Sequence, residues 1–150
     1  MVKFRVLRSV IILCVWMVCL NLKSQVSIQY NNPHSSKNIC IEYTLSFDDS
    51  LGRIRNHQCE TLSLEQSISN YLDGLSQLHM EQCPEAFREA FHVHLKAWSE
   101  MIHVVKHYPA LRGEMHHLFN TLERSPDSLE FKMRLANIWT TWSAVEASKK

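Results

Sequence analysis

The sequence predicts an all-α dominated protein, an antiparallel four-helix bundle with a short strand-like N-terminal extension. From residue 63 onward, apolar residues recur at spacings of three and four, which is the period of an amphipathic helix. Residues 39–47 instead alternate between apolar and polar side chains, which is typical of a strand. Few glycines and prolines occur, 3 and 4 in 150 residues, and this favours an ordered chain.

Four helical segments explain the periodic part. The first begins at Ser63, which forms a capping-box pattern with Gln66. The second begins at Pro84, because proline is well tolerated in a first turn. The third is short and contains Gly113, and the fourth opens at residues 125–127. The apolar stripes are, in chain order, Leu64, Ile68, Tyr71, Leu75 and Leu78; Phe87, Phe91, His94, Trp98, Met101, Val105 and Tyr108; Leu111, Met115, Leu118, Phe119 and Leu122; and Phe131, Leu135, Ile138, Trp142 and Val145. Connections of a few residues predict antiparallel neighbours.

The segments before the bundle divide into three parts. Residues 1–24 form a predicted signal peptide, residues 25–38 a polar linker, and residues 39–60 a possible β-hairpin with a turn near residues 48–52. Residues 61–150 contain the helical bundle. A lone hairpin is marginal in water, so it would have to pack on the helices.

The N-terminal segment has the layout of a secretory signal. Lys3, Arg5 and Arg8 precede the apolar run Val10–Leu20, and polar residues follow. The run is shorter than the about 20 apolar residues that span a bilayer. We therefore expect cleavage near Ser24–Gln25 and a periplasmic or secreted protein. A retained anchor is the alternative, and this uncleaved segment would then be the one membrane contact.

The charge balance argues against a nucleic-acid partner. The chain has 16 basic and 15 acidic residues, and removing the four basic residues of the signal leaves 12 basic against 15 acidic. A mildly acidic domain without a basic patch lacks the cations that contact phosphates.

Three cysteines follow the signal: Cys40, Cys59 and Cys83. A helix between Cys59 and Cys83 would hold them on the order of 27 Å apart, whereas a disulfide needs Cα atoms within about 7 Å. A tight turn in the hairpin would place Cys40 opposite Cys59. We therefore expect a Cys40–Cys59 disulfide, with three reduced cysteines as the alternative.

Nine histidines raise the question of a metal site. The motif Glu-x-x-His, which supplies ligands in di-iron bundles, occurs at Glu89/His92, Glu100/His103 and Glu114/His117. At about 100° per residue, the first two pairs lie opposite the apolar stripe of their helix. His103 and His107 form an i, i+4 pair without an identifiable third ligand, and His116-His117 is a surface doublet. The pattern predicts solvated faces and neither a metal nor a cofactor site.

His94 differs because it lies within an apolar stripe. A histidine in that position is usually hydrogen-bonded within the core. The alternative is an axial ligand to a non-covalent haem, with Met101, Met115 or Met133 as the second ligand.

No motif of nucleophilic catalysis, phosphate binding or zinc proteolysis occurs in the sequence. Trp139 and Trp142 are either core residues of the last helix or anchors for a partner, because aromatic side chains carry much of the binding energy of interfaces. We therefore expect a non-enzymatic exported domain that binds a protein or a cell-envelope component. The alternative is a metal- or haem-binding bundle of the envelope.

Overall fold

The structure, a computed structural model, describes residues 33–149. This part of the chain contains five helices. They are α1 (Pro33–Gln58), α2 (Leu64–Leu75), α3 (Glu85–Val105), α4 (Met115–Leu122) and α5 (Ser128–Ala147). No strand occurs within these residues, so the fold is all-α. None of the helices in this range is both long and apolar enough to cross a membrane. The predicted signal peptide and residues 25–32 of the predicted linker lie outside the described residues.

Helix α1 replaces the predicted hairpin, and it begins inside the segment predicted as linker. The alternating pattern that suggested a strand places half of its apolar residues outside: Ile39 is 49% and Tyr43 60% exposed. A second pattern in the same segment has helical spacing and faces the protein. Its members are Ile41, Thr44, Asp48, Leu51, Arg55 and Cys59. The prediction of strands over residues 39–60 is therefore wrong, because a helix covers residues 39–58. Three members of the buried stripe, Thr44, Asp48 and Arg55, are polar, so a hydropathy pattern does not identify that stripe as a core face.

The four later helices form where their stripes predict them. Ser63 is the N-cap of α2, and its hydroxyl accepts a hydrogen bond from the Gln66 backbone N–H at 3.1 Å. Pro84 immediately precedes α3. Helix α4 begins only at Met115, since Gly113 has φ 139° and interrupts the helical pattern before it.

The helices pack around one continuous core. Helices α3 and α5 make the most extensive contact, α1 packs on α2, and α2 packs on α3. The largest fully buried side chains are Phe87, Phe91, Phe131, Leu64, Ile68, Leu75, Met101, Leu118, Leu122, Val104, Val105 and Val145. Between α1 and α2 the Leu51 side chain packs on the backbone of Gly74, where an added Cβ atom would lie 2.8 Å from Leu51 Cδ1.

The structure pairs Cys40 with Cys83, with Cα atoms 5.3 Å apart. The expected Cys40–Cys59 pairing is wrong, because α1 runs unbroken from before Cys40 to Gln58 and separates the two cysteines by about 28 Å at 1.5 Å per residue. Helix α2 returns along α1, so the loop after it brings Cys83 to the first half of α1. Among the described cysteines, Cys59 is a free and buried thiol. A disulfide fits an oxidising, exported environment.

Candidate binding site

A cleft of about 480 Å³ lies where all five helices meet. Its walls carry five aromatic side chains, and we call it the aromatic cleft after them: Tyr71, Trp98, Phe119, Trp139 and Trp142. Tyr71 comes from α2, Trp98 from α3 and Phe119 from α4, whereas both remaining tryptophans lie on α5. Ligand pockets in proteins commonly have this size and an apolar lining with a few polar groups.

Arg55 of α1 is the central cation of the aromatic cleft. Its guanidinium carbon lies 4.0 Å from the centroid of the Trp98 ring and 4.6 Å from that of Tyr71. The two rings meet edge to face at 5.7 Å. A planar guanidinium against aromatic rings makes favourable cation–π contacts. Burial lowers the pKa of Arg55, and the nearby charge of Asp48 opposes that shift.

Asp48 lies two turns before Arg55 on the same face of α1. Its Oδ1 accepts a hydrogen bond from the Tyr71 hydroxyl at 2.6 Å. Burial raises the pKa of the Asp48 carboxyl, whereas the Tyr71 hydrogen bond and the Arg55 charge act to lower it. Burial also raises the pKa of Tyr71, so its hydroxyl stays protonated and keeps donating. These groups hold one another in place at the inner wall of the cleft.

His94 anchors a chain of hydrogen bonds from α3 to α5. Trp98 Nε1–H donates to His94 Nε2 at 3.2 Å, and His94 Nδ1 lies 3.0 Å from Thr141 Oγ1. Since Nε2 accepts, the neutral ring carries its proton on Nδ1 and donates it to Thr141. Thr141 in turn donates to the carbonyl oxygens of Asn137 and Ile138. Burial, with the Arg55 charge, lowers the pKa of His94 to about 4.

This arrangement matches the prediction of a core histidine. Both ring nitrogens of His94 are engaged, and the residue is only 4% exposed. An axial bond to haem would require one of these hydrogen bonds to break.

The Glu-x-x-His pairs lie largely at the surface, as their phase predicts. Glu89, His92 and His103 are exposed. Glu100 differs, because it is partly buried and pairs with Arg134 of α5 at 2.7 Å. The i, i+4 pair of His103 and His107 does not form a shared ligand set. His107 instead faces Asp127, with its Nδ1 atom 3.2 Å from Asp127 Oδ2.

One group of metal-type ligands does come together at the rim of the aromatic cleft. Glu114, His116 and His117 each place a donor atom within 4.8 Å of those of the other two, the one such cluster among the described residues. All three are exposed, and the first two also line the cleft. The sequence places the two histidines at the surface, but adjacent residues and a Glu-x-x-His pair do not reveal that their donor atoms converge.

Sequence reasoning missed Asp48, Arg55 and Tyr71 as a unit. The alternating pattern places Asp48 in the turn and Arg55 in the return strand of a hairpin, where they would not share a face. Their seven-residue spacing, two helical turns, becomes informative only once residues 33–58 are known to be one helix. Trp139 and Trp142, for which the sequence leaves a core position and a role as partner anchors open, both line the cleft.

The chain matches no protein-family model, and comparisons with curated proteins and with solved structures found no similar protein.

Proposed function

We propose that this protein is an exported, non-enzymatic helical domain that binds a protein or a cell-envelope component through the aromatic cleft. The observation that carries the proposal is the exposure of Trp139, which is 62% exposed at the edge of a cleft lined by four further aromatic residues. A large apolar ring left in water beside a concave surface is the usual chemistry of an interface anchor.

The state of the polar groups in the cleft supports binding over catalysis. His94 is neutral and hydrogen-bonded through both ring nitrogens, and Tyr71 holds its proton against Asp48. A general base or a nucleophile needs a free lone pair facing a substrate. His94 and Tyr71 instead use their hydrogen-bonding capacity to position the walls of the cleft. Outside the cleft, burial raises the pKa of the Cys59 thiol, which disfavours the reactive thiolate.

Two further features support export. The basic and apolar order of residues 1–24 is that of a signal peptide, and the Cys40–Cys83 bridge suits an oxidising compartment. The proposal also keeps the antiparallel bundle predicted from the sequence, formed by α2 to α5, with α1 as a fifth helix in place of the hairpin. In this arrangement α1 supplies the charged wall of the cleft and α5 its exposed tryptophan.

The experiment compares Trp139→Ala with Leu129→Ala. Both residues lie on α5 and are exposed, Leu129 at 76%, but Leu129 does not line the cleft. The purified wild-type protein and both variants are immobilised and incubated with envelope proteins of the export host, after circular dichroism has shown that all three are folded. We expect a protein that the wild type and Leu129→Ala retain and that Trp139→Ala does not. Equal retention by all three, no retained protein, or unfolding of Trp139→Ala would contradict the proposal.

A haem-binding bundle centred on His94 is the second candidate. The position of His94 inside the core, beside the cleft, is the observation in its favour. It requires the imidazole to give up its hydrogen bond to Trp98 or to Thr141, so we rank it below the binding domain. Protein purified from an export host without added cofactor would show a Soret band if this candidate is correct, and no such band if it is not.

A further inference from the structure

The corner between α3 and α4 brings two imidazoles and a carboxylate together. His116 Nδ1 is hydrogen-bonded to Glu114 Oε1, and His117 Nδ1 lies 3.6 Å from Glu114 Oε2. The centroids of the two imidazole rings are 4.1 Å apart. One carboxylate therefore faces two histidines, which gives a three-ligand set of the N₂O type.

The local backbone explains why this corner is held in place. Gly113 has φ 139°, which a residue with a side chain rarely adopts, and its N–H donates to the Cys59 carbonyl at 2.9 Å. The turn is therefore tied to the chain just beyond the end of α1. Glu114 follows as the N-cap residue of α4, but its side chain makes no capping hydrogen bond. Its carboxylate is thus available to the histidines of the first helical turn.

We propose that Glu114, His116 and His117 bind one divalent transition-metal ion. Imidazole and carboxylate ligands suit zinc, copper and nickel, and zinc bonds to both at about 2.0–2.2 Å. Ligands at that distance in a tetrahedral site are about 3.4 Å from one another. Donor atoms that already lie within 4.8 Å need only small rotations of exposed side chains to reach it.

The site has one open coordination position, since three protein ligands leave the fourth of a tetrahedral ion free. Glu114 and His116 also line the aromatic cleft. The ion would therefore sit at the rim of the cleft, where a donor atom of a bound partner could complete its coordination. Metal binding itself does not depend on the proposed function.

The helix N-terminus gives the site a distinctive charge requirement. The first turn of a helix carries partial positive charge, which opposes a cation. The negative charge of Glu114 has to offset this field as well as bind the ion. We therefore expect Glu114→Gln, which keeps an oxygen donor but removes the charge, to weaken binding as severely as loss of a histidine.

The test is calorimetric titration of zinc chloride into untagged, chelator-treated protein, with native mass spectrometry to count bound ions. The variants are His116→Gln, His117→Gln and Glu114→Gln. The matched control is His57→Gln, because His57 Nδ1 lies 3.5 Å from Glu60 Oε1 in an exposed pair that lacks a third ligand. Trp139→Ala serves as a second control that damages the cleft but not the ligand set.

We expect one zinc ion per chain, and an affinity at least about tenfold lower in each of the three site variants, since even changes outside the ligand shell cost about 10–100-fold. Both controls should bind as the wild type does. The inference is overturned if no saturable binding of one equivalent occurs, if His116→Gln or His117→Gln binds as tightly as the wild type, or if His57→Gln weakens binding equally. The zinc titration uses no partner, so failure of the metal site and failure of partner retention by the cleft are seen in separate experiments.

Discussion

Lowering the pH should destabilise this protein through His94. The imidazole is 4% exposed, and burial together with the Arg55 charge lowers its pKa from 6.5 to about 4. In the unfolded chain the residue takes up a proton as the pH falls through about 6.5, whereas the folded protein resists protonation until about pH 4. The stability that neutral His94 contributes is therefore complete above about pH 6.5 and is lost as the pH falls towards 4.

The size of the effect follows from the two pKa values. At about 1.4 kcal/mol for each pKa unit, the full difference corresponds to about 3.5 kcal/mol, and about 2.5 kcal/mol of it should be lost between pH 7.5 and pH 4.5. That is a large part of the 5–15 kcal/mol that is typical of a folded domain. Asp48 acts in the opposite sense, because burial raises the pKa of its carboxyl and the folded state then takes up that proton first.

A His94→Gln variant separates these contributions. Glutamine can accept a hydrogen bond from Trp98 and donate one to Thr141, but it does not titrate. Urea unfolding followed by circular dichroism at pH 7.5, 6.5, 5.5 and 4.5 gives the free energy of unfolding of both proteins. We expect the wild type to lose about 2.5 kcal/mol more than the variant over this range. If the two free energies fall in parallel, His94 is not a buried neutral histidine and the hydrogen-bond chain described for it is wrong.

Two further predictions concern the packing of α1. The double variant Cys40→Ser/Cys83→Ser opens a loop of 43 residues and should lower the free energy of unfolding by about 4 kcal/mol on the chain-entropy estimate; non-reducing peptide mapping that finds any other cysteine pair would contradict the bridge. Gly52→Ala, whose new Cβ would meet no atom nearer than 3.8 Å, should raise the free energy of unfolding by about 0.5–1 kcal/mol. Gly74→Ala should not raise the free energy of unfolding in this way, since its Cβ would lie 2.8 Å from Leu51 Cδ1 and the Leu51 side chain would have to move. Thermal or urea unfolding of both glycine variants measures the difference, and equal stabilisation would refute the tight contact between the Leu51 side chain and Gly74.

The predicted helices that the structure confirms depend on short-range signals. Ser63 caps α2 because a hydroxyl accepts from an N–H three residues later, and Pro84 precedes α3 because its ring suits a helix start. The stripes of α3 and α5 contain large apolar residues at every turn. Signals of this kind act within a few residues, so they can be read without knowledge of what the helix packs against.

The segment of residues 39–58 shows the limit of such signals. Its alternation and its helical stripe are both present, and the stripe includes Asp48 and Arg55, which a hydropathy pattern assigns to solvent. Their burial becomes favourable only through contacts with Tyr71 and Trp98 on other helices. The wrong Cys40–Cys59 pairing and the absence of Asp48 and Arg55 from the predicted site both follow from interpreting this segment as a hairpin.

Amphipathic period and capping are local properties of the chain, so they are sufficient to predict the four later helices, the surface positions of most histidines and the core position of His94. Helix packing, in contrast, is needed to bring Cys40 to Cys83, to lay Arg55 against two aromatic rings, and to make Glu114, His116 and His117 converge at the rim of the cleft. These outcomes depend on distances between side chains brought together by helix packing and by the turn at Gly113, and neither spacing nor composition encodes such distances directly.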